Sequence, residues 1–514
     1  MRKFQLVLRL LLVGAIGATL ACSGADPTTT VAPEVAAVQE APAPPAVAAP
    51  APASKPPPAR KRNVFLITID TLRADHLGVY GYRRDTSPHI DRFARANVLF
   101  KNAVAQWPKT SPSFASMLTG RHPQVTGLAR ICPLQVGEEL QLVAERFKSA
   151  GWKTLAVVSN PNLDAQFGFA QGFDDYSEGW KPEQKERIDT KTAPAGPDSY
   201  ARFINAHAFS ALDRAGTSEG LFAWIHYTDP HAPYRPPPAY SGRFVDDPWY
   251  DATRKVALNG DEVGEPYFGG IPPYARLDGP RETELDYYVA EYDAAIYTTD
   301  EQVGALLAEL ERRGLLEDAL VILTADHGES LGEHNYFCEH GSFPYEDCTR
   351  VPLVISLPGA TGPLAIDAPV GLIHLVPTML SFAGLPPDAE LPGQDLLPLL
   401  RGEGEPPEFA ISAAGYADHY QQVVRAGRWK LVHVPDLKDR RRMTGAEWEL
   451  YDLEVDPGEL VNLAEQRPEV VESLRRKLLE WLATRHPVYS GQKGRIDAID
   501  PRTEEMMRKL GYIK

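Results

Sequence analysis

Short apolar runs rich in β-branched residues, each closing on a polar or ionisable side chain, constrain this chain more than any other feature. Asn63-Val-Phe-Leu-Ile-Thr-Ile-Asp70 is the first, and Thr154 to Ser159, Leu221 to Tyr227 and Ala319 to Thr324 follow the same pattern. Such a run offers no polar face to solvent, so it reads as a strand of a parallel sheet buried on both sides. Helical patterns separate the runs: Leu140 to Ser149, and Tyr297 to Arg313 with Val303, Leu306, Leu307 and Leu310 on one face. This alternation predicts an α/β fold whose mainly parallel sheet lies between helix layers. Ligands of such sheets sit beyond the carboxyl ends of the strands. Asp70, the segment from His226 to His231, and Asp326 all fall there.

The pattern changes after about residue 400. Phe409 to Ala413 and Gln421 to Val434 read as strands, Glu449 to Pro457 as a strand and turn, and Val470 to Leu482 as an amphipathic helix. A smaller C-terminal α+β subdomain is expected. The division is a signal peptide over 1–21, a linker over 22–60, a catalytic domain over 61–400, the subdomain over 401–490 and a tail over 491–514. The tail is polar apart from a helical pattern ending at Leu510-Gly-Tyr512. Residues 236–284, rich in Pro, Gly, Tyr and Asp without periodicity, read as a long loop beside the site, either a lid or a surface excursion.

Arg2 and Lys3 followed by an apolar stretch from Leu6 to Leu20 form a secretory signal. Thr19-Leu20-Ala21-Cys22 resembles a bacterial lipobox, with Thr19 at a position that prefers Leu. Cys22 is the expected lipidation site, and an ordinary signal peptide cut near Ala21 is the alternative. Residues 23–60, mostly Ala, Pro and Val, form an extended spacer. The expected placement is the bacterial cell envelope, periplasm or outer membrane, with membrane contact through the lipid anchor. A net charge of −16 argues against nucleic acid as a partner. Cys132, Cys338 and Cys348 allow one disulfide with one thiol left over, or three free thiols.

Three separated elements carry the chemistry. Asp70-Thr-Leu-Arg-Ala-Asp75-His76 closes the first strand, Thr110-Ser-Pro-Ser113 opens a turn, and Ala325-Asp326-His327-Gly328-Glu329 closes a late strand. Two carboxylates and an imidazole at strand ends suit a divalent metal, with the Thr110 hydroxyl as a further ligand. His231, in Asp229-Pro-His-Ala-Pro-Tyr234, follows another strand. Histidine titrates near neutrality and can act as a general acid. His226 reads as a structural strand residue.

With these motifs in view, the chain resembles the sulfatase branch of the alkaline phosphatase superfamily over roughly residues 61–485. Lys109-Thr-Ser-Pro-Ser-Phe-Ala-Ser-Met-Leu-Thr-Gly-Arg121 is similar to the family signature. Asp70 to Asp75, Tyr80-Gly-Tyr82, Thr86 to Asp91, Gly332-Glu-His334, Arg350-Val-Pro-Leu353, Leu450-Tyr-Asp-Leu453, Asp456-Pro457 and Asn462-Leu463 resemble its landmarks in order. The resemblance implies metal ligation by Asp70, Thr110, Asp326 and His327, with Thr110 as nucleophile and His231 against the leaving-group oxygen. His340 would either contact the anion or bind a second ion.

The departures from the family pattern point one way. Thr110 stands where the family has the cysteine that becomes formylglycine, and threonine cannot be oxidised to that aldehyde. Phe114 replaces an arginine, Thr71 a second metal-binding acid, Glu339 a lysine, and Val158 to Asn162 a lysine-bearing segment. Asn160 and Asn162 are then candidate substrate-binding residues. His327 stands for an asparagine, and an imidazole favours Zn, Mn or Fe over Ca. The expected activity is metal-dependent hydrolysis of a phosphate mono- or diester, on a small-molecule, glycan or lipid substrate, through a covalent intermediate on Thr110. The alternatives are a sulfuric ester hydrolase without formylglycine and a catalytically silent envelope-binding lipoprotein.

Overall fold

β1 (Val64–Ile69) is buried at every position and runs through the middle of an eight-stranded sheet. The other strands are β2 (Val98–Val104), β3 (Lys153–Val158), β4 (Asp175–Glu178), β5 (Leu221–Tyr227), β6 (Leu320–Ala325), β7 (Arg350–Ser356) and β8 (Leu364–Gly371). Their spatial order is β8-β2-β7-β6-β1-β5-β3-β4. Only β7 runs against its neighbours, β2 and β6. The computed structural model describes residues 60–128, 135–181, 200–217, 219–260, 268–359, 364–416, 419–435, 444–483 and 499–510. The expected signal peptide, Cys22, the Ala/Pro-rich stretch up to residue 59 and Cys132 lie outside them.

Register delivers the site. β1 pairs in parallel with β5 and β6, and Ile69 stands opposite both Tyr227 and Ala325. Asp70 and Asp326 therefore leave the sheet side by side at one level. Helices cover both faces. α1 (Pro88–Ala96) and α3 (Tyr200–Ala215) pack with α4 (Leu285–Arg312), while α2 (Thr110–Thr119) packs with α5 (Leu375–Ala383).

α4 begins twelve residues before the apolar pattern at Tyr297 suggests. Its first turns bury Leu285, Tyr288, Tyr292 and Ile296 at helical spacing, but Asp286, Glu291 and Asp293 interrupt the stripe. Those acids hold partners. Asp286 and Glu291 accept from the backbone N–H groups of Asp251 and Gly242 at 2.8 and 2.6 Å. The excursion over 236–284 is thereby tied to α4, and its Tyr274 donates to Glu339 at 2.7 Å.

The C-terminal sheet is antiparallel: β9 (Ala410–Tyr416), β10 (His419–Ala426), β11 (Trp429–His433) and β12 (Trp448–Asp452), in that order. The run read as one strand from Gln421 to Val434 is two strands, because Gly427 takes a left-handed φ of 54° and turns the chain. α6 (Pro468–Ala483) covers this sheet. β9 reaches the main unit through Ala413 N–H to Gln106 O and Gly415 N–H to Gly341 O, at 3.0 and 2.8 Å. The tail helix, α7 (Pro501–Lys509), buries Met507 and hydrogen-bonds Asp164 through Thr503. Cys338 and Cys348 are buried free thiols.

His122 and His374 are buried where α2, α5 and α6 meet, His122 edge-on to Trp481 at 4.7 Å. Burial, with His374 adding repulsion, pulls His122 down to about 3; burial pulls His374 down to about 4. The unfolded chain binds these protons first, so their contribution is complete above about pH 6.5 and is lost as pH falls toward 4. Thermal melts should show stability falling from pH 7 to pH 5. His122→Gln/His374→Gln should flatten that fall by up to about 1.4 kcal/mol per pH unit for each histidine. An unchanged acid-side slope in the double variant contradicts the assignment.

Candidate active site

Asp70, Asp326 and His327 are fully buried, and one ligand-capable atom from each falls within 4.8 Å of the others. Asp70 Oδ1 and Asp326 Oδ2 have no hydrogen-bond partner, while His327 Nε2 lies 3.8 and 3.4 Å from them. His327 Nδ1–H donates to Gly328 O at 2.9 Å, which leaves the lone pair on Nε2. Two unpaired buried carboxylate oxygens facing an imidazole lone pair are costly without a cation. The donor set therefore fits a divalent ion.

The charge states say the same. Burial pushes Asp70 up, but the nearby imidazoles of His226, 3.7 Å away, His231 and His327 outweigh it, so its pKa lies below the usual range. Burial and the Asp70 charge hold Asp326 well above it. The pair shares the strain of two negative charges in one place. Burial pulls His327 down to about 4, leaving a neutral ligand at neutral pH.

Local sequence explains how these groups are aimed. Asp326 Oδ1 accepts from the N–H groups of His327 and Thr71, at 2.9 and 3.3 Å. Gly328 is needed for space: a Cβ there would lie 2.0 Å from Asp347 O. Ser113, one turn into α2, donates to Asp326 O at 2.6 Å and ties the helix to the end of β6. Thr110, the first residue of α2, is fully buried with Oγ1 3.4 Å from His327 Nε2. Its position at a helix N-terminus favours negative charge.

Further histidines surround this group. His231 Nδ1–H donates to Ala232 O at 2.7 Å, and His340 Nδ1 shares a hydrogen bond with Glu329 Oε1 at 3.0 Å. The His340 ring lies 4.3 Å from His327 and 5.2 Å from His231. Burial lowers the pKa of both His231 and His340; proximity to His327 and His231 lowers His340 further.

The two asparagines separate in role. Asn160 Nδ2 donates to Asp70 Oδ2 at 2.5 Å, and Asn160 Oδ1 accepts from Asn162 N–H at 2.9 Å, so Asn160 orients the Asp70 carboxylate. Asn162 is buried with Oδ1 unpartnered.

Two nearby residues escape sequence reasoning. His226, read as structural, places Nε2 3.7 Å from Asp70 Oδ2, with Nδ1 3.1 Å from Thr68 Oγ1. Phe114 packs edge-on against it at 4.8 Å. A histidine inside a buried strand carries no sequence mark that separates this role from core filling. Lys109, just before α2, lies near enough to His231, His327 and His340 to disfavour protonation of each. Gly341 leaves room for it, since a Cβ there would stand 3.0 Å from Lys109 Cδ. Its adjacency to Thr110 was the available signal.

A separate cavity of about 460 Å³, lined by Arg73, Glu333, His334, Asp347, Arg350 and Arg425 among others, lies against the C-terminal sheet. Arg73 pairs there with Asp75 and Glu333, and Arg425 with Glu346. Thr110 and the histidines around it do not line it.

Comparison with known proteins matches the family described as Sulfatase over residues 62–385, and N-sulphoglucosamine sulphohydrolase, C-terminal, over residues 332–484. An N-acetylglucosamine-6-O-sulfatase of Bacteroides thetaiotaomicron is 25% identical over 479 residues, covering 79% of this chain and 83% of that protein. An iduronate 2-sulfatase of Mus musculus is 28% identical over 403 residues, covering 63% of this chain and 69% of that protein. The structure of a phosphonate monoester hydrolase from Silicibacter pomeroyi superposes with a TM-score of 0.64 at 21% identity, covering 84% of this chain and 96% of that one.

Asn160→Ala should leave Asp70 free to turn and lower Zn²⁺ or Mn²⁺ affinity by about 10–100-fold, the usual cost of losing a group that orients a ligand. Calorimetric titration of the purified protein checks this, and unchanged affinity counts against the assigned role.

Proposed function

The chain belongs to the sulfatase family, and from that premise we propose a hydrolase of phosphate mono- or diesters with Thr110 as its nucleophile. The observation that carries the reading is Thr110 Oγ1, at the N-terminus of α2, 3.4 Å from His327 Nε2, which itself lies 3.8 and 3.4 Å from two unpaired carboxylate oxygens. Thr110 cannot become the formylglycine aldehyde, because its β-carbon carries a methyl group. A hydroxyl nucleophile that stays a hydroxyl suits a phosphoryl group, which it can attack directly.

Asp70, Asp326 and His327, with Thr110, would hold the ion; the imidazole favours Zn, Mn or Fe over Ca. That ion would supply Lewis acidity and a lowered hydroxyl pKa. With the ion bound, Thr110 would release its hydroxyl proton to solvent, and Oγ1, as the alkoxide, attacks phosphorus in line with the leaving alkoxide. His231 Nε2 is the proton carrier: Ala232 O holds its Nδ1–H, and an anionic ester beside the ring favours the imidazolium. The imidazolium passes its Nε2 proton to the departing oxygen, and the neutral ring then takes a proton from the water that cleaves the phosphothreonine ester. Lys109 and His340 face the same space and hold the anion, with Asn162 as a further contact. Fixed positive charge on Lys109 offsets the loss of the family arginine at Phe114.

The named activity of the Bacteroides relative supports a second reading, hydrolysis of a glycan sulfate ester without formylglycine. The lipobox-like segment at Cys22 supports placement of the enzyme on the envelope, with small-molecule, glycan or lipid esters as substrates.

Paired aryl phosphate, phosphodiester and sulfate esters separate the readings. Phosphate ester turnover should dominate, and Thr110→Ala should reduce it at least about a thousandfold while the ion stays bound. Mass spectrometry should find a phosphoryl adduct on the Thr110 peptide. Full activity of Thr110→Ala, or turnover of sulfate esters alone, sinks the proposal. Lys109→Met should raise KM for a dianionic monoester roughly tenfold, the worth of one charge-assisted hydrogen bond, and affect a monoanionic diester less.

A further inference from the structure

We propose that Tyr292, on α4 and more than thirty residues from any metal-binding candidate in the sequence, is a positioning residue of the metal centre. The inference rests on the reading that Asp70 and Asp326 hold a divalent ion. Thr71, directly after Asp70, has a φ of 54°. A β-branched residue rarely adopts this left-handed conformation, and it persists only where the surroundings enforce it.

Tyr292 enforces it. Its hydroxyl donates to Thr71 O at 2.7 Å and accepts from Arg73 N–H at 3.0 Å, clamping the chain on both sides of Leu72. Thr71 N–H in turn donates to Asp326 Oδ1 at 3.3 Å. One phenol therefore holds the carbonyl of Thr71, the residue that follows the first carboxylate and whose own N–H touches the second. The phenol cannot swing away. Its ring is fully buried, edge-on to His76 at 5.2 Å and to Tyr234 at 5.3 Å. Tyr234 belongs to the loop that carries His231, so the same ring braces both halves of the site.

The neighbouring residue secures the far end of the segment. Asp293 accepts from Tyr82 at 2.6 Å and from Arg84 at 2.8 Å, and lies 2.7 Å from His76 Nδ1. The chain from Asp70 to Arg84 is thus moored to one turn of α4. Tyr292 touches neither ion nor substrate; it acts by holding Thr71 in a turn that threonine alone would leave.

The test is a double-mutant cycle read as Zn²⁺ and Mn²⁺ affinity by calorimetric titration of the apoprotein. Phenylalanine keeps the ring packing and removes only the hydroxyl. Tyr292→Phe should weaken binding about tenfold or more. Thr71→Gly, which adopts a positive φ without strain, should bind nearly as well as the unsubstituted protein. In the Thr71→Gly background, Tyr292→Phe should cost less than about threefold, because the clamp is no longer needed. An equal loss in both backgrounds, or no loss in either, overturns the proposal while leaving the metal reading intact. If the unsubstituted protein binds neither ion, the metal reading falls and this proposal with it.

Discussion

Everything at this site depends on one electrostatic conflict. Parallel pairing of β1 with β6 brings Asp70 and Asp326 out of the sheet side by side, fully buried, each with an unsatisfied oxygen. Two carboxylates in a dry environment cannot both ionise cheaply. Much of the surrounding structure manages that conflict. Backbone N–H groups of Thr71 and His327 hold Asp326 Oδ1, while Asn160 and His226 attend Asp70 Oδ2. What remains are inward-facing lone pairs that a divalent cation would satisfy together.

The proposed hydroxyl chemistry also accounts for features around Thr110 that look unrelated one at a time. Phe114, on the buried face of α2, cannot supply charge; it packs on His226, and His226 faces Asp70 instead. Lys109 stands one residue before the helix, among three histidines. Positive charge near the site thus comes from a different place than in the family pattern, and with a different reach.

Much of this was legible in the chain, for identifiable reasons. A parallel strand buried on both faces must be apolar throughout, so β1, β3, β5 and β6 announce themselves by composition. Strand ends in such a sheet are where polar residues collect, which singled out Asp70, His231, Asp326 and His327 before any geometry was known, while Thr110 and His340 were reached through the family resemblance. α4 was half hidden, because its first turns carry acids that bind partners rather than solvent, and the periodicity there breaks. His226 and Tyr292 were invisible for a related cause. Each has the composition of ordinary core, and its importance lies in a partner far away in sequence.

The amino-acid sequence by itself determined the strand-and-helix alternation, the residues at the strand ends, and the chemical novelty of a threonine at the head of α2. These are local properties: hydrophobic period, side-chain type, and what a β-methyl group forbids. Tertiary structure alone decided how close the carboxylates come, which carbonyl oxygens fix the tautomers of His231 and His327, and what holds Thr71 in a left-handed turn. Those depend on register between strands some 250 residues apart and on a phenol reaching across from another helix. No short-range pattern encodes such distances, because they are set by how the layers pack.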